Sequence, residues 1–261
     1  MVLLFKPYTA DAEPWAGAFA RRAPELEVRV WPDVGEVADI EFVLTWGLPP
    51  GALARFPSLR AIFSLGAGVD HLFDDPGLPT HVPITRTVDS NMTSTMVEFV
   101  LCAVLSHHRS TAAYAAQQRD GVWRQLPQHA SWERRVGVMG LGALGGAAAR
   151  MLVEFGYDVG GWCRTAKDID GIEVFAGADG LMPFLGRTDI LVCLLPLTPA
   201  TEGIVDARAL AALPEGAAFI NTARGRHHVE GDLLAALDSG HLSGATLDVF
   251  ESEPLPADHP F

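Results

Sequence analysis

The sequence predicts an α/β protein of two doubly wound lobes, each a parallel sheet covered by helices. Three observations carry that expectation. A glycine cluster, Gly140-Leu141-Gly142-Ala143-Leu144-Gly145, follows a strand-like run, Arg135-Val136-Gly137-Val138-Met139, and opens a helix-like one from Ala147 to Leu152. Unbroken apolar runs recur where an antiparallel sheet would alternate apolar and polar residues, which suits strands buried on both faces. The chain of 261 residues is also long enough for two lobes, since domains commonly hold roughly 100 to 200 residues.

Taken in order, Met1-Val2-Leu3-Leu4-Phe5 is apolar but ends at once in Lys6 and Pro7, so it reads as a first strand and not as a secretory signal. Glu41 to Trp46, Leu59 to Ser64 and Val82 to Arg86 continue a small α/β lobe. Thr95-Met96-Val97-Glu98 has the spacing of a capping box ahead of the apolar run Phe99 to Leu105. A long helix is expected there, with the lobe boundary at its start, giving residues 1–96 and 97–261. Beyond the glycine cluster, strands are expected over Tyr157–Trp162, Asp189–Leu195, Ala217–Asn221 and Gly244–Val249.

Composition excludes several classes. The net charge of -13 opposes a nucleic-acid partner, and no run reaches the roughly 18 apolar residues that span a bilayer. Three cysteines, Cys102, Cys163 and Cys193, lack C-x-x-C spacing, and two lie in apolar runs; buried free thiols in a reducing cytoplasm are expected. The histidine doublets His107-His108 and His227-His228 point neighbouring side chains apart, so no metal site is expected.

The glycine cluster has the form of a Rossmann-type dinucleotide turn. Its first glycine permits the tight turn, its second lets backbone approach a pyrophosphate, and its third brings helix against strand, leaving helix amides aimed at the anion. Such turns normally have an acid about 20 residues on, at the end of the second strand, to hold the ribose hydroxyls. None stands there. Asp158 lies at the wrong end of the strand, while Arg164 and Lys167 follow it. Guanidinium and ammonium groups favour a 2′-phosphate, so NADP(H) is expected over a still possible NAD(H). Ligands of such sheets sit at the carboxyl ends of strands, where Gly66-Ala67-Gly68, Pro196, Arg224, Glu251 and Glu253 fall.

Six ordered segments then make the chain similar to a known family. They are Phe63 to Asp70, the glycine cluster, Trp162 to Thr165, Leu194 to Pro199, Asn221 to Gly225, and Leu247 to Pro256. Together they resemble the D-isomer-specific 2-hydroxy-acid dehydrogenases, nearest the glyoxylate/hydroxypyruvate reductase branch. The resemblance implies a flavodoxin-like substrate lobe before the Rossmann lobe, and NADPH-dependent reduction of a small 2-oxo acid to the D-2-hydroxy acid. Arg224 would hold the substrate carboxylate and carbonyl, since a planar charged fork binds the one and stabilises charge developing on the other. Gly66, Ala67 and Gly68 would offer amides to the carboxylate, and Trp46 would line the substrate pocket. Thr165, Leu195, Pro196 and Ala223 would line the cofactor beside the glycine cluster. Asp248 would accept from the nicotinamide carboxamide, and a carboxylate in an apolar strand needs some such partner. Glu253 would support a catalytic histidine by stabilising its imidazolium.

That histidine is implied about 20 residues past Glu253, beyond Phe261, together with a segment returning to the first lobe. His259 resembles loop punctuation and is not assigned its role. The sequence therefore reads as part of a longer frame, and the activity is assigned to the longer protein. The family is commonly dimeric through the second lobe, and the apolar helix from Val97 to Leu105 is consistent with a homodimer. Two alternatives share the fold: a dinucleotide-sensing corepressor or scaffold without turnover, which the acidic charge, Arg224 and Glu253 oppose, and an NAD-dependent dehydrogenase of a larger acid such as phosphoglycerate.

Overall fold

The computed structural model describes residues 1–8 and 11–261, and the chain divides into two compact units, Met1–Asp89 and Ser90–Phe261. In the first, strands β1 (Val2–Lys6), β2 (Glu27–Val30), β3 (Ile40–Thr45), β4 (Ala61–Ser64) and β5 (Ile84–Arg86) form one parallel sheet in the order β2-β1-β3-β4-β5. This is the flavodoxin-like order. Helices α1 (Glu13–Arg22) and α2 (Asp70–Phe73) belong to the same unit. Its core gathers Leu4, Ile40, Val43, Leu53, Ile62 and Leu72.

The second unit opens with α3 (Ser90–His108) and α4 (Thr111–Arg119). The sheet follows: β6 (Arg135–Met139), β7 (Asp158–Cys163), β8 (Ile172–Ala176), β9 (Ile190–Cys193), β10 (Ala217–Asn221) and β11 (Leu242–Leu247). Between the strands run α5 (Ala143–Glu154), α6 (Gly177–Gly186), α7 (Ala207–Ala212) and α8 (Glu230–Asp238). The order β11-β10-β9-β6-β7-β8 is parallel throughout and reverses direction at β6 and β9. This is the order of a dinucleotide-binding sheet, and its switch point lies where the glycine turn leaves β6.

Period-two alternation explains why these strands read as continuous apolar runs. Ile190, Val192, Ala218 and Ile220 pack toward Val100 and Val104 of α3 and Ala149 and Leu152 of α5. Their neighbours Leu191, Cys193, Ala217 and Phe219 pack on the other face, toward Phe184 of α6, Leu210 of α7 and Leu233 of α8. Both faces are dry, so the strand interiors are apolar throughout, and the one polar side chain, Asn221, stands at the carboxyl end of β10. The strand beginnings are tied by charge. Asp189, just ahead of β9, accepts from the Arg135 guanidinium at 2.6 Å and from the Arg135 amide at 3.0 Å. Burial alone would raise the Asp189 carboxyl; the hydrogen bonds from Arg135 outweigh it and hold the group below its ordinary value.

Several sequence expectations need correction. The long helix begins at Ser90, so Thr95 is not its cap; its hydroxyl donates back to the Asn91 carbonyl at 2.6 Å, one turn earlier. The chain accordingly divides between Asp89 and Ser90, ahead of the expected 96/97 boundary. The buried residues of that helix, Val100, Ala103, Val104 and His108, face their own unit, which accounts for its apolar character without a second subunit. Cys102 is exposed, whereas Cys163 and Cys193 are buried, and all three are free. No helix among the described residues is long and apolar enough to cross a membrane.

Candidate functional site

The glycine turn is built as its sequence requires. Gly140 has φ +99, a conformation L side chains rarely adopt, and its amide donates to the Trp162 carbonyl at 2.8 Å. A side chain at Gly145 would collide with the Gly140 carbonyl, so helix α5 starts directly against the end of β6. Gly142 is different. It is the helix N-cap, exposed, and a Cβ there would meet no atom within 4 Å. No side chain caps the helix, so the amides of Ala143 and Leu144 remain available to an anion at the positive end of the helix dipole. Leu141 is buried, packed where a Cβ on Gly161 would otherwise lie.

The basic loop after β7 folds onto this turn. The Lys167 ammonium donates to the Leu141 carbonyl at 2.7 Å, and the Cys163 thiol donates to the Thr165 carbonyl at 3.1 Å. Arg164 and Thr165 are exposed, and Arg164 has no ion pair among the described residues. Asp158, at the opposite end of β7, is engaged with Arg187 at 2.6 Å. The first charged residues after β7 are therefore the cations Arg164 and Lys167, and the loop's acids, Asp168 and Asp170, come after them.

The remaining strand ends line up along the same edge of the sheet. The Leu194 amide donates to the Met139 carbonyl at 2.8 Å, carrying the chain to Leu195, which is buried, and to Pro196, whose carbonyl accepts from the Thr201 hydroxyl at 2.7 Å. After β10 the chain turns through Thr222 and Ala223, both buried, to the half-buried Arg224. The Arg224 guanidinium donates to the Ala223 carbonyl at 2.6 Å, and the Arg224 amide donates to His227 Nδ1 at 3.1 Å. Asp248 lies just past β11 and is exposed, so it is not the buried strand carboxylate that the sequence suggested; the Thr222 hydroxyl donates to it at 3.4 Å. Glu253 is exposed and accepts from the Phe250 amide at 2.9 Å, while Glu251 is simply exposed. His259 is engaged with Glu230 at 3.3 Å.

In the first unit, the loop after β4 is a compact polar turn. The Ser64 hydroxyl donates to the Gly68 carbonyl at 2.8 Å and accepts from the Gly66 amide at 3.2 Å. That bond corrects one expectation, because the Gly66 amide is already engaged and is not available to an anion. The amides of Ala67 and Gly68 carry no hydrogen bond among the described residues and are the two this loop can offer. Arg86 donates to the Ala67 carbonyl at 3.1 Å. Trp46 lies across Gly66, where a Cβ would come 2.6 Å from the indole, and its ring packs on Tyr8 at 5.0 Å and His71 at 4.2 Å. Sequence reasoning missed Tyr8 and His71, although Tyr8 follows β1 at the carboxyl edge and the same edge rule selects it. It also missed the side chains behind Arg224, because nothing in their spacing signals a hydrogen bond.

Known proteins resemble this chain along its whole length. A family model for the NAD binding domain of D-isomer specific 2-hydroxyacid dehydrogenases matches residues 101–261. The chain is 40% identical to glyoxylate/hydroxypyruvate reductase A of Serratia proteamaculans (strain 568), over all of this chain and 84% of that protein. The structure of a D-isomer specific 2-hydroxyacid dehydrogenase from Xanthobacter autotrophicus Py2, in complex with NADPH and MES, superposes with a TM-score of 0.94 at 44% identity, covering 99% of this chain and 84% of that one. An NADPH-dependent glyoxylate/hydroxypyruvate reductase from Sinorhizobium meliloti, in complex with NADP and sulfate, gives 0.92 at 42% identity, covering 100% and 84%.

The space beside Gly142 sets a test that separates ligand binding from folding. Gly142→Val should lower the melting temperature by only a few degrees, because no atom lies in its way and the cost is that of a poorer helix N-cap, yet weaken dinucleotide binding by roughly 10- to 100-fold as the side chain enters the ligand's volume. Fluorescence titration and a thermal melt on the same sample measure both.

Proposed function

The chain belongs to the D-isomer-specific 2-hydroxyacid dehydrogenase family, and from that premise we propose that it is an NADPH-dependent reductase of a small 2-oxo acid, glyoxylate or hydroxypyruvate. Membership makes it an NAD(P)-dependent oxidoreductase. The observation that carries the finer reading is Arg224, a half-buried guanidinium just past the carboxyl end of β10, on a backbone fixed by its own hydrogen bonds.

The residues present fit a dinucleotide phosphate. Open space at Gly142 and the uncapped amides of Ala143 and Leu144 suit the pyrophosphate, and the cations Arg164 and Lys167 suit a 2′-phosphate. Leu195, Pro196 and Ala223 supply apolar surface along the same edge, and Asp248 is placed to accept from an amide. When bound, the nicotinamide supplies the hydride delivered to the carbonyl carbon. Arg224 binds the substrate carboxylate and stabilises negative charge on the carbonyl oxygen as it forms. The amides of Ala67 and Gly68 hold a carboxylate, and the Trp46 indole packs against a short carbon chain. Glu253 is the carboxylate that steadies an imidazolium, and an imidazolium so held supplies the proton for the alkoxide.

The proposed assembly is a homodimer. Residues 122–130 have no regular structure and project Trp123 wholly into solvent, beside a hollow of about 710 Å³ lined by Tyr114, Val122 and Arg124. An indole so exposed marks a surface for association. A reducing cytoplasm suits the free thiols.

Arg224→Ala should lower kcat/KM for glyoxylate by roughly 10²- to 10³-fold while NADPH binding stays intact, read by initial rates and fluorescence titration. Arg164→Ala should raise KM for NADPH by about tenfold and leave KM for NADH unchanged, since a charge-assisted bond contributes roughly 1.5 kcal/mol and only NADPH carries the phosphate. Sedimentation velocity should show a dimer that Trp123→Ser converts to monomer at micromolar concentration.

A further inference from the structure

Asn221 ends β10 wholly buried, and the groups around it fix its orientation. The Ala223 amide can only donate, so the atom 3.1 Å away is Asn221 Oδ1. Nδ2 therefore donates to the Arg224 carbonyl at 2.9 Å and to His228 Nδ1 at 3.0 Å. An amide nitrogen has hydrogens to give and no lone pair to offer. His228 Nδ1 must then carry no proton, and the proton of the neutral ring sits on Nε2. One buried side chain thus grips the Ala223–Arg224 segment at both ends, and His228 holds that side chain from behind.

The setting of His228 is rigid. The ring is 4% exposed, edge-on to Phe219 at 5.9 Å and tilted against Phe261 at 6.4 Å, and its backbone bridges Val205. Nε2 has no partner among the described residues, which leaves Asn221 as the ring's hydrogen-bond partner. Of the ionisable groups on the segments packed round it, Glu230 favours its charged form and His227 opposes it. His259 is engaged with Glu230 at 3.3 Å, Arg226 with Glu202 at 2.8 Å, and Asp206 caps α7.

We propose that His228 is a positioning residue for Arg224: its unprotonated Nδ1 aligns Asn221, Asn221 holds the Ala223–Arg224 backbone, and protonation of the ring loosens that hold and weakens binding of the 2-oxo acid. The proposal rests on the reading of Arg224 as the substrate-binding arginine. The direction with pH follows from the geometry. A proton on Nδ1 would set two donors face to face. Burial lowers the ring below its ordinary value, with Glu230 acting against this, so the neutral form still predominates at pH 6.5 and is lost only as pH falls through the lower folded value. KM for the substrate should therefore rise on the acid side, below about pH 6.5.

The test uses two variants of the full-length protein. His228→Leu fills the space without an acceptor; His228→Asn presents an oxygen where Nδ1 accepts and does not titrate. The expected result is a rise in KM for glyoxylate of roughly five- to tenfold in His228→Leu, with a smaller change in kcat and an unchanged affinity for NADPH. His228→Asn should restore KM and remove its acid rise. An unaltered KM in a folded His228→Leu protein overturns the proposal, as does an acid rise that persists in His228→Asn; should the leucine variant fail to fold, the asparagine pH profile decides alone. The nitrogen NMR spectrum of His228 separates the two layers of the argument. A proton on Nδ1 at neutral pH sinks the positioning role itself, whereas an Nε2 proton with a wild-type KM in Arg224→Ala sinks the reading of Arg224 and the proposal's consequence for substrate with it.

Discussion

The contact on which the second unit depends is between two atoms that ordinary residues would keep apart: the Gly140 carbonyl and the α-carbon of Gly145. Any side chain at 145 would push α5 away from the end of β6, and overpacking of that kind costs about 1 to 3 kcal/mol. With the helix seated, its first amides lie at the switch point of the sheet, aimed past Gly142 into open space. The close approach also shapes the surroundings. Leu141 fills the place that a side chain on Gly161 would take, and the Leu141 carbonyl becomes the acceptor for Lys167. Turn, helix and basic loop are thus one piece of architecture.

The same economy governs the electrostatics. A chain of net charge -13 repels anions at a distance, so an anionic ligand must be drawn by what lies within a few ångströms. Oriented amides and the cations at 164 and 167 act over that range, and the nearest acid on the same strand, Asp158, is placed at the far end and engaged with Arg187. Long-range repulsion is screened at physiological salt, whereas the short-range field is not, which lets an acidic protein hold a polyphosphate.

Much of this was legible in the sequence, for identifiable reasons. Buried parallel strands leave continuous apolar runs, so β6 and β10 were read to the residue. The glycine positions encode steric facts that hold in any context. Other features were misread because local pattern lost to tertiary placement. Thr95 and Glu98 have the spacing of a cap, but the helix extends five residues further back to Ser90. Asp248 follows an apolar run, yet the strand stops at Leu247 and leaves it at the surface. Gly66 could not be told from its neighbours until the Ser64 hydroxyl was seen to occupy its amide. The Asn221 and His228 pair left no signal at all, since a hydrogen bond between residues in different elements has no period.

The cysteines divide the molecule in a practical way. Cys193 sits in the sheet with its thiol pushed up to about 12 by burial, so at neutral pH it is almost entirely the unreactive protonated form. Cys163 is buried as well and donates to a backbone carbonyl, while Cys102 stands exposed on α3. An alkylating probe therefore meets one accessible sulfur in the native protein and three in the unfolded chain. The ratio of labelled thiols is a built-in gauge of how much of the population has opened, and a fluorophore placed through Cys102 requires no engineered site.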